Sequence, residues 1–406
     1  MTTSPDASPS DEALALEAAV SRNDAAAVRN VLVRFPALRQ RLDDPLPNAP
    51  FGATPLIAAA NQRNLEMIDV LVDAGANIDQ RSHWWAGGFS AFGRDAEVNA
   101  HLIERGAAVD AHDAAQLGMV DRLRALVAGD PGVVTARYGD GQTPLHVAST
   151  AEIAELLLEA GADIDALDVD HESTPAQYLV GDHPEVARYL IERGCRTDIL
   201  LACAVGNVDL VRAHLDRDPA SVYTMVSPRW FPMRNARAGG TIYIWTLGNY
   251  RTAHAIARRA GHEDVYALLM KRSPADLRLA AACDSGDEAE VQRLLDAAAE
   301  KPSLTEEARL RLLSAASQDD APAVRLMLRA GWPAHAHDEK GVTPLHWAAW
   351  HGNAALVRLL LDAGADPAAV ERNFGGTPLG WAEHGRANSW RRAHGEYDAV
   401  RVALGG

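Results

Sequence analysis

The segment 223–250 carries the residue types best suited to binding a ligand. It holds six of the chain's 23 aromatic residues and three arginines but no acidic residue, in a chain of formal net charge −16. Arginine pairs well with carboxylates and phosphates, so we expect the segment to suit a small anionic or aromatic molecule, or an acidic peptide. The candidate contacts are Arg229, Trp230, Phe231, Arg234, Tyr243 and Trp245.

The same segment also has a purely structural interpretation. The alternation of residue types over 241–246 is typical of a strand and predicts an ordered hairpin whose aromatic side chains fold back into a small satellite core. A loop longer than about 15 residues is usually functional or disordered, and this one is too aromatic for disorder. The sequence leaves the binding site and the satellite core as alternatives.

His254 follows this segment and adds a titratable group. It stands in Thr252-Ala253-His254-Ala255, where most other copies of this pattern have a leucine that faces the neighbouring helix. A histidine at such a position is either buried and hydrogen-bonded or lines a pocket. If the chain had an enzymatic activity, a pocket between the insertion and His254 would be one place for histidine acid–base chemistry.

Two further groups of aromatic residues are candidate contacts for a partner. Trp84, Trp85 and Phe89 lie beside the flexible pair Gly87-Gly88, and we expect them to be partly exposed, as in an apolar binding patch. The second group lies near the C-terminus and comprises Trp350, His351, Trp381, His384 and Trp390.

Signatures of catalysis and metal binding are weak in this sequence. It has no Gly-x-Ser-x-Gly elbow and no phosphate-binding Gly-Lys-Ser/Thr motif. The nearest approach to a metal cluster is His335-Ala336-His337-Asp338, which falls on a predicted hairpin where solvated polar residues are expected. The sequence therefore predicts no metal, no cofactor and no catalytic residue, and it favours a function without catalysis.

The elements that position these residues recur along the chain. One copy begins with Thr343-Pro344-Leu345-His346 and ends at Gly364. The same Thr-Pro-Leu motif begins at Thr54 and at Thr143. The glycines that end two successive copies, Gly331 and Gly364, are 33 residues apart. Threonine can cap a helix and proline fits its first position, whereas glycine ends a helix in the left-handed region. Each copy is thus a pair of helices that buries its apolar face only by stacking on its neighbours.

This motif and its 33-residue period resemble the ankyrin repeat, and the resemblance extends over nearly the whole chain. It implies an all-α solenoid, which at this length would contain about twelve helix-pair units in one continuous body. It also implies recognition of a protein partner through hairpin tips and first-helix positions on the concave side. No catalytic residue comes with the family.

The pattern divides the chain into four segments. Residues 1–10 are Ser/Pro-rich and are predicted to be a disordered tail, and 11–222 form the first half of the repeats. The aromatic, basic insertion occupies 223–250. Residues 251–406 form the second half and end in a longer, more polar unit that we expect to cap the stack.

Composition limits the classes of partner and the location. The net charge of −16 argues against nucleic acid, and no apolar run is long enough to span a membrane. Three cysteines without a Cys-x-x-Cys pair fit a reducing cytoplasm, and 36 arginines against three lysines suggest a bacterial gene.

The sequence thus favours a recognition protein that binds a protein partner on the concave surface. The alternative is a protein or enzyme with a pocket lined by histidine, tryptophan and arginine around 223–250, which would bind a small molecule.

Overall fold

The computed structural model describes residues 9–298 and 303–405. Most of the predicted disordered tail, residues 1–8, lies outside the described residues. The chain divides into two compact units. Unit 1 comprises the residues up to Cys195 together with Met233–Gly240, and unit 2 comprises Arg196–Pro232 and Thr241–Gly406. The insertion is therefore divided between the two units, and the four segments drawn from the sequence remain a prediction.

Unit 1 consists of helix pairs with two irregular repeats among them. Its α-helices are α1 (Asp11–Ser21), α2 (Ala25–Arg34), α3 (Pro55–Asn61), α4 (Leu65–Asp73), α5 (Ala96–Glu104), α6 (Ala111–Gln116), α7 (Val120–Gly129), α8 (Ala151–Glu159), α9 (Pro175–Asp182) and α10 (Pro184–Glu192). Short 3₁₀ turns cover Pro36–Arg41, Pro50–Gly52, Pro131–Thr135 and Pro144–Val147.

The pair α3–α4 shows how the repeat motif forms its helices. Thr54 caps α3, since its side chain accepts the N–H of Ile57 at 3.4 Å, and Pro55 occupies the first position. One face of each helix is buried against the core of unit 1, as Leu56 in α3 and Leu71 in α4 show. The chain leaves α4 with Gly75 in the left-handed region.

Unit 1 departs from this pattern at its third repeat. The residues 82–95, which replace the repeat motif, form no helix, so α5 has no first-helix partner within its own repeat. The backbone is held instead by pairing between Gly88 and Gly139, and between Ser82 and Phe89. The missing helix leaves room between the first helices of the neighbouring repeats.

Unit 2 contains six helix pairs within its described residues. They are α11 (Ile199–Val205) with α12 (Val208–Arg217), α13 (Ala253–Arg259) with α14 (Glu263–Arg272), α15 (Ala275–Asp284) with α16 (Glu288–Asp296), α17 (Glu306–Ser317) with α18 (Ala321–Ala330), α19 (Pro344–His351) with α20 (Ala354–Asp362), and α21 (Pro378–Asn388) with α22 (Tyr397–Ala403). The 3₁₀ turns are Pro219–Tyr223 and Arg392–His394.

The predicted all-α repeat architecture is confirmed. No strand occurs in 9–298 or 303–405, where the only β pairing is three isolated bridges. No helix in these ranges combines the length and the apolar character that crossing a bilayer requires. The number of about twelve units stays a prediction.

The strand predicted over 241–246 is wrong. Ile244–Gly248 form one turn of π-helix. The carbonyl of Thr241 accepts the backbone N–H of Ile244, and the carbonyl of Ile242 accepts those of Trp245 and Thr246. Only the base of the insertion is paired like a hairpin, through the bridge between Met225 and Thr252. Alternating residue types do not specify a strand when no neighbouring strand is present to pair with.

Candidate functional site

Two adjoining cavities occupy unit 1 where the third repeat lacks its first helix. Phe89, Ser90 and Phe92, all from the irregular segment 82–95, line both cavities. The cavities measure about 570 Å³ and about 340 Å³, and pockets of this order hold small molecules or single side chains. We call the two together the groove of unit 1. Neither cavity contains a residue of 223–250.

The larger cavity is mainly apolar. Besides the shared residues it is lined by Ile57, Ala58 and Asn61 of α3, by the C-cap residue Gln62, and by the turn that holds Phe51. Phe51 is 53% exposed. Its ring contacts those of Trp84 and Phe89 edge-on, at centroid distances of 5.0 Å and 5.6 Å, so the aromatic cluster continues from the cavity to the surface.

Phe51 is held in an unfavourable backbone conformation. Its φ is +57°, in the left-handed region that costs a residue with a Cβ about 1–2 kcal/mol. Strain of this kind persists only where the surroundings impose it, and it clusters at functional sites. Gln62 adds a second unfavourable feature, because its buried Oε1 has no hydrogen-bond partner in the described part of the chain.

The smaller cavity is polar and its charges are paired. Arg81 reaches Asp113 at 3.2 Å and Asp110 at 2.5 Å, and its guanidinium lies 3.6 Å from the ring centroid of Tyr138. Ser90 donates its hydroxyl to the other oxygen of Asp113 at 2.8 Å. Burial, followed by the charge of Asp110, raises the pKa of Asp113 to about 6. Arg81 offsets part of this effect by attracting the ionised form.

His112 on α6 is the least satisfied polar group of this cavity. It is 5% exposed, and neither ring nitrogen has a hydrogen-bond partner among the described residues. The Gln142 carboxamide is close enough to influence the ring but lacks hydrogen-bond geometry to it. Burial, and then the charge of Arg81, lowers the pKa of His112 to about 4, so the imidazole is neutral at pH 7.

His146 in the same cavity shows the contrasting case. Its Nδ1 accepts the backbone N–H of Thr143 at 3.0 Å, and its Nε2–H donates to the carbonyl of Ser173 at 3.2 Å. Both nitrogens are therefore satisfied by backbone groups, one in the same repeat motif and one just before the next. The ring packs edge-on against Tyr178, whose hydroxyl donates to Asp168 at 2.9 Å.

The part of the insertion that belongs to unit 1 packs on residues 170–172 and on Trp85. Its backbone N–H groups at Arg234 and Asn235 donate to the carboxylate of Glu172, at 2.7–3.0 Å. The Arg237 guanidinium lies 4.5 Å from the ring centroid of Trp85. This segment is thus fixed by contacts within unit 1, and its arginines are not grouped into one anion site.

Asp140, Asp170 and His171 form a group beneath that segment whose ligand atoms lie within 4.8 Å of one another, close enough to hold a metal ion. His171 Nε2 lies 3.6 Å from a carboxylate oxygen of each aspartate, and Nδ1–H donates to the carbonyl of Gly240 at 2.7 Å. Burial acts to lower the pKa of His171, but Asp140 and the Gly240 carbonyl raise it above its ordinary value. The two carboxylates that face Nε2 favour the protonated form of the ring.

The remaining insertion residues lie in unit 2, and most of them have structural partners there. Arg229 forms ion pairs with Glu306 at 2.6 Å and Glu307 at 2.9 Å, which removes its positive charge as a site for an anion. Tyr243 is fully buried and donates to Asp198 at 2.8 Å. Phe231 packs on Tyr243 at 5.3 Å, and Trp230 packs on a small apolar cluster. Trp245 is 71% exposed.

His254 lies in the core of unit 2 and lines no open surface. It is 1% exposed, with Ser273 bonded to Nε2 at 2.8 Å and Arg311 bonded to Nδ1 at 3.1 Å. Of the two alternatives left open by the sequence, the geometry is that of a buried, hydrogen-bonded histidine.

The C-terminal candidates form an aromatic cluster in unit 2. Trp350 contacts Trp381 at 6.1 Å and His384 at 5.6 Å between ring centroids. His351 is buried and bonded to the carbonyl of Ser317, and it packs on Trp390, which is 66% exposed. Trp350 and Trp381 are half-buried, as a supporting surface would be.

The sequence singled out Trp84, Trp85 and Phe89 as a partly exposed patch, and of these Phe89 lines the groove. The other walls of the groove were missed. Phe51, Arg81 and His112 were not singled out. A histidine followed by an aspartate in the first helix of a repeat, where alanine and leucine are usual, was the signal that could have indicated the polar cavity.

Comparison with protein families matches the chain to ankyrin repeats. A model of ankyrin repeats in three copies matches residues 111–200, 277–371 and 312–389. The model of a single ankyrin repeat matches residues 51–83. Comparison with curated proteins gives no match.

Proposed function

Because the chain belongs to the ankyrin repeat family, whose repeats generally mediate protein–protein interactions, we propose that it recognises a protein partner. An extended segment of that partner binds along the groove of unit 1 and places an apolar side chain in the larger cavity. The observation that carries this proposal is the pair of adjoining cavities with the shared wall Phe89, Ser90 and Phe92.

Three features of the groove support a segment of a partner as its occupant. The cavities are lined by residues of α3, α6 and α9, the first helices of separate repeats, so an extended chain crossing the repeats passes over both. Partly exposed aromatic rings surround the apolar cavity, and such rings serve as anchors at protein interfaces. The net charge of −16 favours a basic partner, because long-range attraction speeds the encounter.

We also infer a cytoplasmic location. The three cysteines are buried, and none forms a disulfide within the described ranges, which suits a reducing compartment.

The experiment that tests the function fills the apolar cavity. Peptides are selected from a displayed random library on the full chain, and their dissociation constants are measured by fluorescence anisotropy. Ala58→Phe places a ring in the cavity without removing a core side chain, and it should weaken binding at least about tenfold, or about 1.4 kcal/mol.

Ala100→Phe is the matched control, because Ala100 is exposed on α5 and lines neither cavity. It should change the dissociation constant less than about twofold, within the range of neutral surface changes. Selected peptides that bind Ala58→Phe as tightly as the wild-type chain would show that the apolar cavity is not the anchor site.

A further inference from the structure

The charged groups Arg81, Arg94 and Asp182 that line the polar cavity of unit 1 already have partners of opposite charge. Arg81 lies between Asp110 and Asp113, and Arg94 at the rim pairs with Asp182. An anion entering the cavity would face the carboxylates of these pairs, and a cation would face the guanidinium groups. A neutral group avoids both penalties.

His112 supplies the hydrogen-bonding groups that such a ligand would use. A neutral imidazole carries one N–H donor and one lone-pair acceptor, and in His112 both lack a partner in the described structure while the ring lines the cavity. A buried polar group without a partner destabilises the free protein. Replacement of His112 by an apolar ring of similar shape would relieve this cost, so the residue is unfavourable unless something binds it.

We propose that the polar cavity binds a neutral, planar hydrogen-bonding group of the carboxamide class. The carboxamide oxygen accepts the N–H of His112, or its NH₂ donates to the other ring nitrogen, according to the tautomer. Gln116 and Gln142 also line the cavity and can bond the same group, and Phe92 and Tyr178 supply apolar walls. Access to the ring nitrogens requires a shift of the side chains over them, because both atoms are shielded from solvent.

The molecule that supplies the carboxamide is inferred from the proposed function. If a partner segment binds along the groove, the carboxamide belongs to an asparagine or glutamine side chain of that segment. This side chain lies next to the apolar side chain that occupies the larger cavity. The polar cavity itself can be tested without any partner.

The test compares three probes of nearly equal shape and different charge on the full chain. Benzamide is neutral, benzoate is an anion and benzamidinium is a cation. A ligand-observed NMR titration should give saturable binding of benzamide with a dissociation constant on the order of 10 mM, as expected for nine heavy atoms. Benzoate and benzamidinium should bind at least about tenfold more weakly. Equal or tighter binding of either ion would overturn the proposal.

Two histidine variants locate the site. His112→Phe should abolish benzamide binding and melt no lower than the wild-type chain, since it removes no hydrogen bond. His101→Phe is the matched control, because His101 lies on α5, is bonded to Asp69 and lines neither cavity; it should bind benzamide normally. Unchanged benzamide affinity in His112→Phe, or a melting temperature several degrees lower, would count against the assignment.

The outcomes also separate this site from the proposed function. If benzamide binds through His112 and alanine in place of asparagine or glutamine weakens the selected peptides, the group comes from the partner. If benzamide binds but the peptides need no carboxamide, the cavity is a site for a free small amide. If no peptide is selected while benzamide binds, the proposed function fails and the carboxamide site stands.

Discussion

The Nδ1 atom of His254 accepts a hydrogen bond from the guanidinium of Arg311 at 3.1 Å, in the core of unit 2. Both residues are 1% exposed. Arg311 also donates to Thr252 and to a carboxylate oxygen of Asp284, the latter at 3.2 Å. A polar network thus stands where most other copies of the motif pack a leucine. Burial, and then Arg311, lowers the pKa of His254 well below its ordinary value, which leaves Nδ1 free to accept.

This relationship predicts that Arg311→Met strongly destabilises unit 2. The variant leaves the buried Nδ1 atom of His254 without a donor and the partly buried Asp284 carboxylate without its ion-pair partner. Breaking a buried pair costs about 3–5 kcal/mol. Urea denaturation of the full chain should show the loss in the transition of unit 2. Arg309→Met, on the exposed face of the same helix α17, should change the free energy of unfolding by about 0.5 kcal/mol or less. Equal effects of the two substitutions would exclude a stabilising role for the network.

The neutral histidines of unit 1 predict a loss of stability in mild acid. Burial is the main cause that lowers the pKa of His112 to about 4 and that of His146 to about 3, from about 6.5 in the unfolded chain. Because the unfolded state binds more protons between these values, their contribution falls as the pH falls below 6.5. From pH 7 to pH 5 each histidine should cost unit 1 about 2 kcal/mol.

A comparison of wild type and His112→Phe isolates one of these contributions. The difference between their free energies of unfolding should move by about 2 kcal/mol in favour of the variant between pH 7 and pH 5. Other titrating groups, such as Asp113, occur in both proteins and largely cancel. Parallel stability profiles over this range would mean that His112 titrates in the folded chain as it does in the unfolded one.

The parts of the fold that the sequence predicted depend on residues close together in the chain. Thr343 caps α19, and His346 three residues later completes the capping box by accepting the N–H of Thr343 at 3.1 Å. Such caps, and the apolar spacing of each second helix, act within one or two turns. Their patterns are therefore visible in the sequence and predict the repeat correctly.

The parts that the sequence did not predict depend on distant residues. The partner of His254 is 57 positions away in Arg311, and the polar cavity combines residues from Arg81 to His183. The segment 241–246 forms a helical turn rather than a strand, since its surroundings in unit 2 decide the conformation. No local pattern marks which side chains will meet across several repeats.

Glu371 predicts a local effect at the last hairpin of unit 2. Its buried carboxylate accepts the backbone N–H groups of Asn373, Phe374 and Gly376 at 2.7–3.0 Å. Glu371→Gln removes half of these acceptor sites, so hydrogen exchange at the three amides should rise by roughly tenfold. Glu383→Gln, at an exposed position of α21, should leave these exchange rates unchanged.

The same carboxylate fixes the direction of the pH dependence at this hairpin. Burial alone would raise the pKa of Glu371, but the three backbone N–H groups and His346 hold it below its ordinary value. The stabilisation is therefore complete above the unfolded pKa and is lost as the pH falls through the folded pKa. Protection of the three amides, corrected for the intrinsic rate, should fall in acid in the wild-type chain and change little in Glu371→Gln.

His171 predicts how firmly the segment Met233–Gly240 is held within unit 1. His171→Ala removes the 2.7 Å hydrogen bond to the Gly240 carbonyl and the ring nitrogen that lies 3.6 Å from a carboxylate oxygen of both Asp140 and Asp170. The two carboxylates then face each other without the ring between them. The segment should open more often, and trypsin should cleave after Arg234 and Arg237 several-fold faster, because cleavage follows the population of the open form. Arg229, held in unit 2 by Glu306 and Glu307, provides an internal reference whose cleavage rate should not change. If cleavage after Arg229 accelerates as much as cleavage after Arg234, the substitution causes general unfolding instead of local release. If cleavage after Arg234 and Arg237 does not accelerate, Glu172 and Trp85 hold the segment without His171.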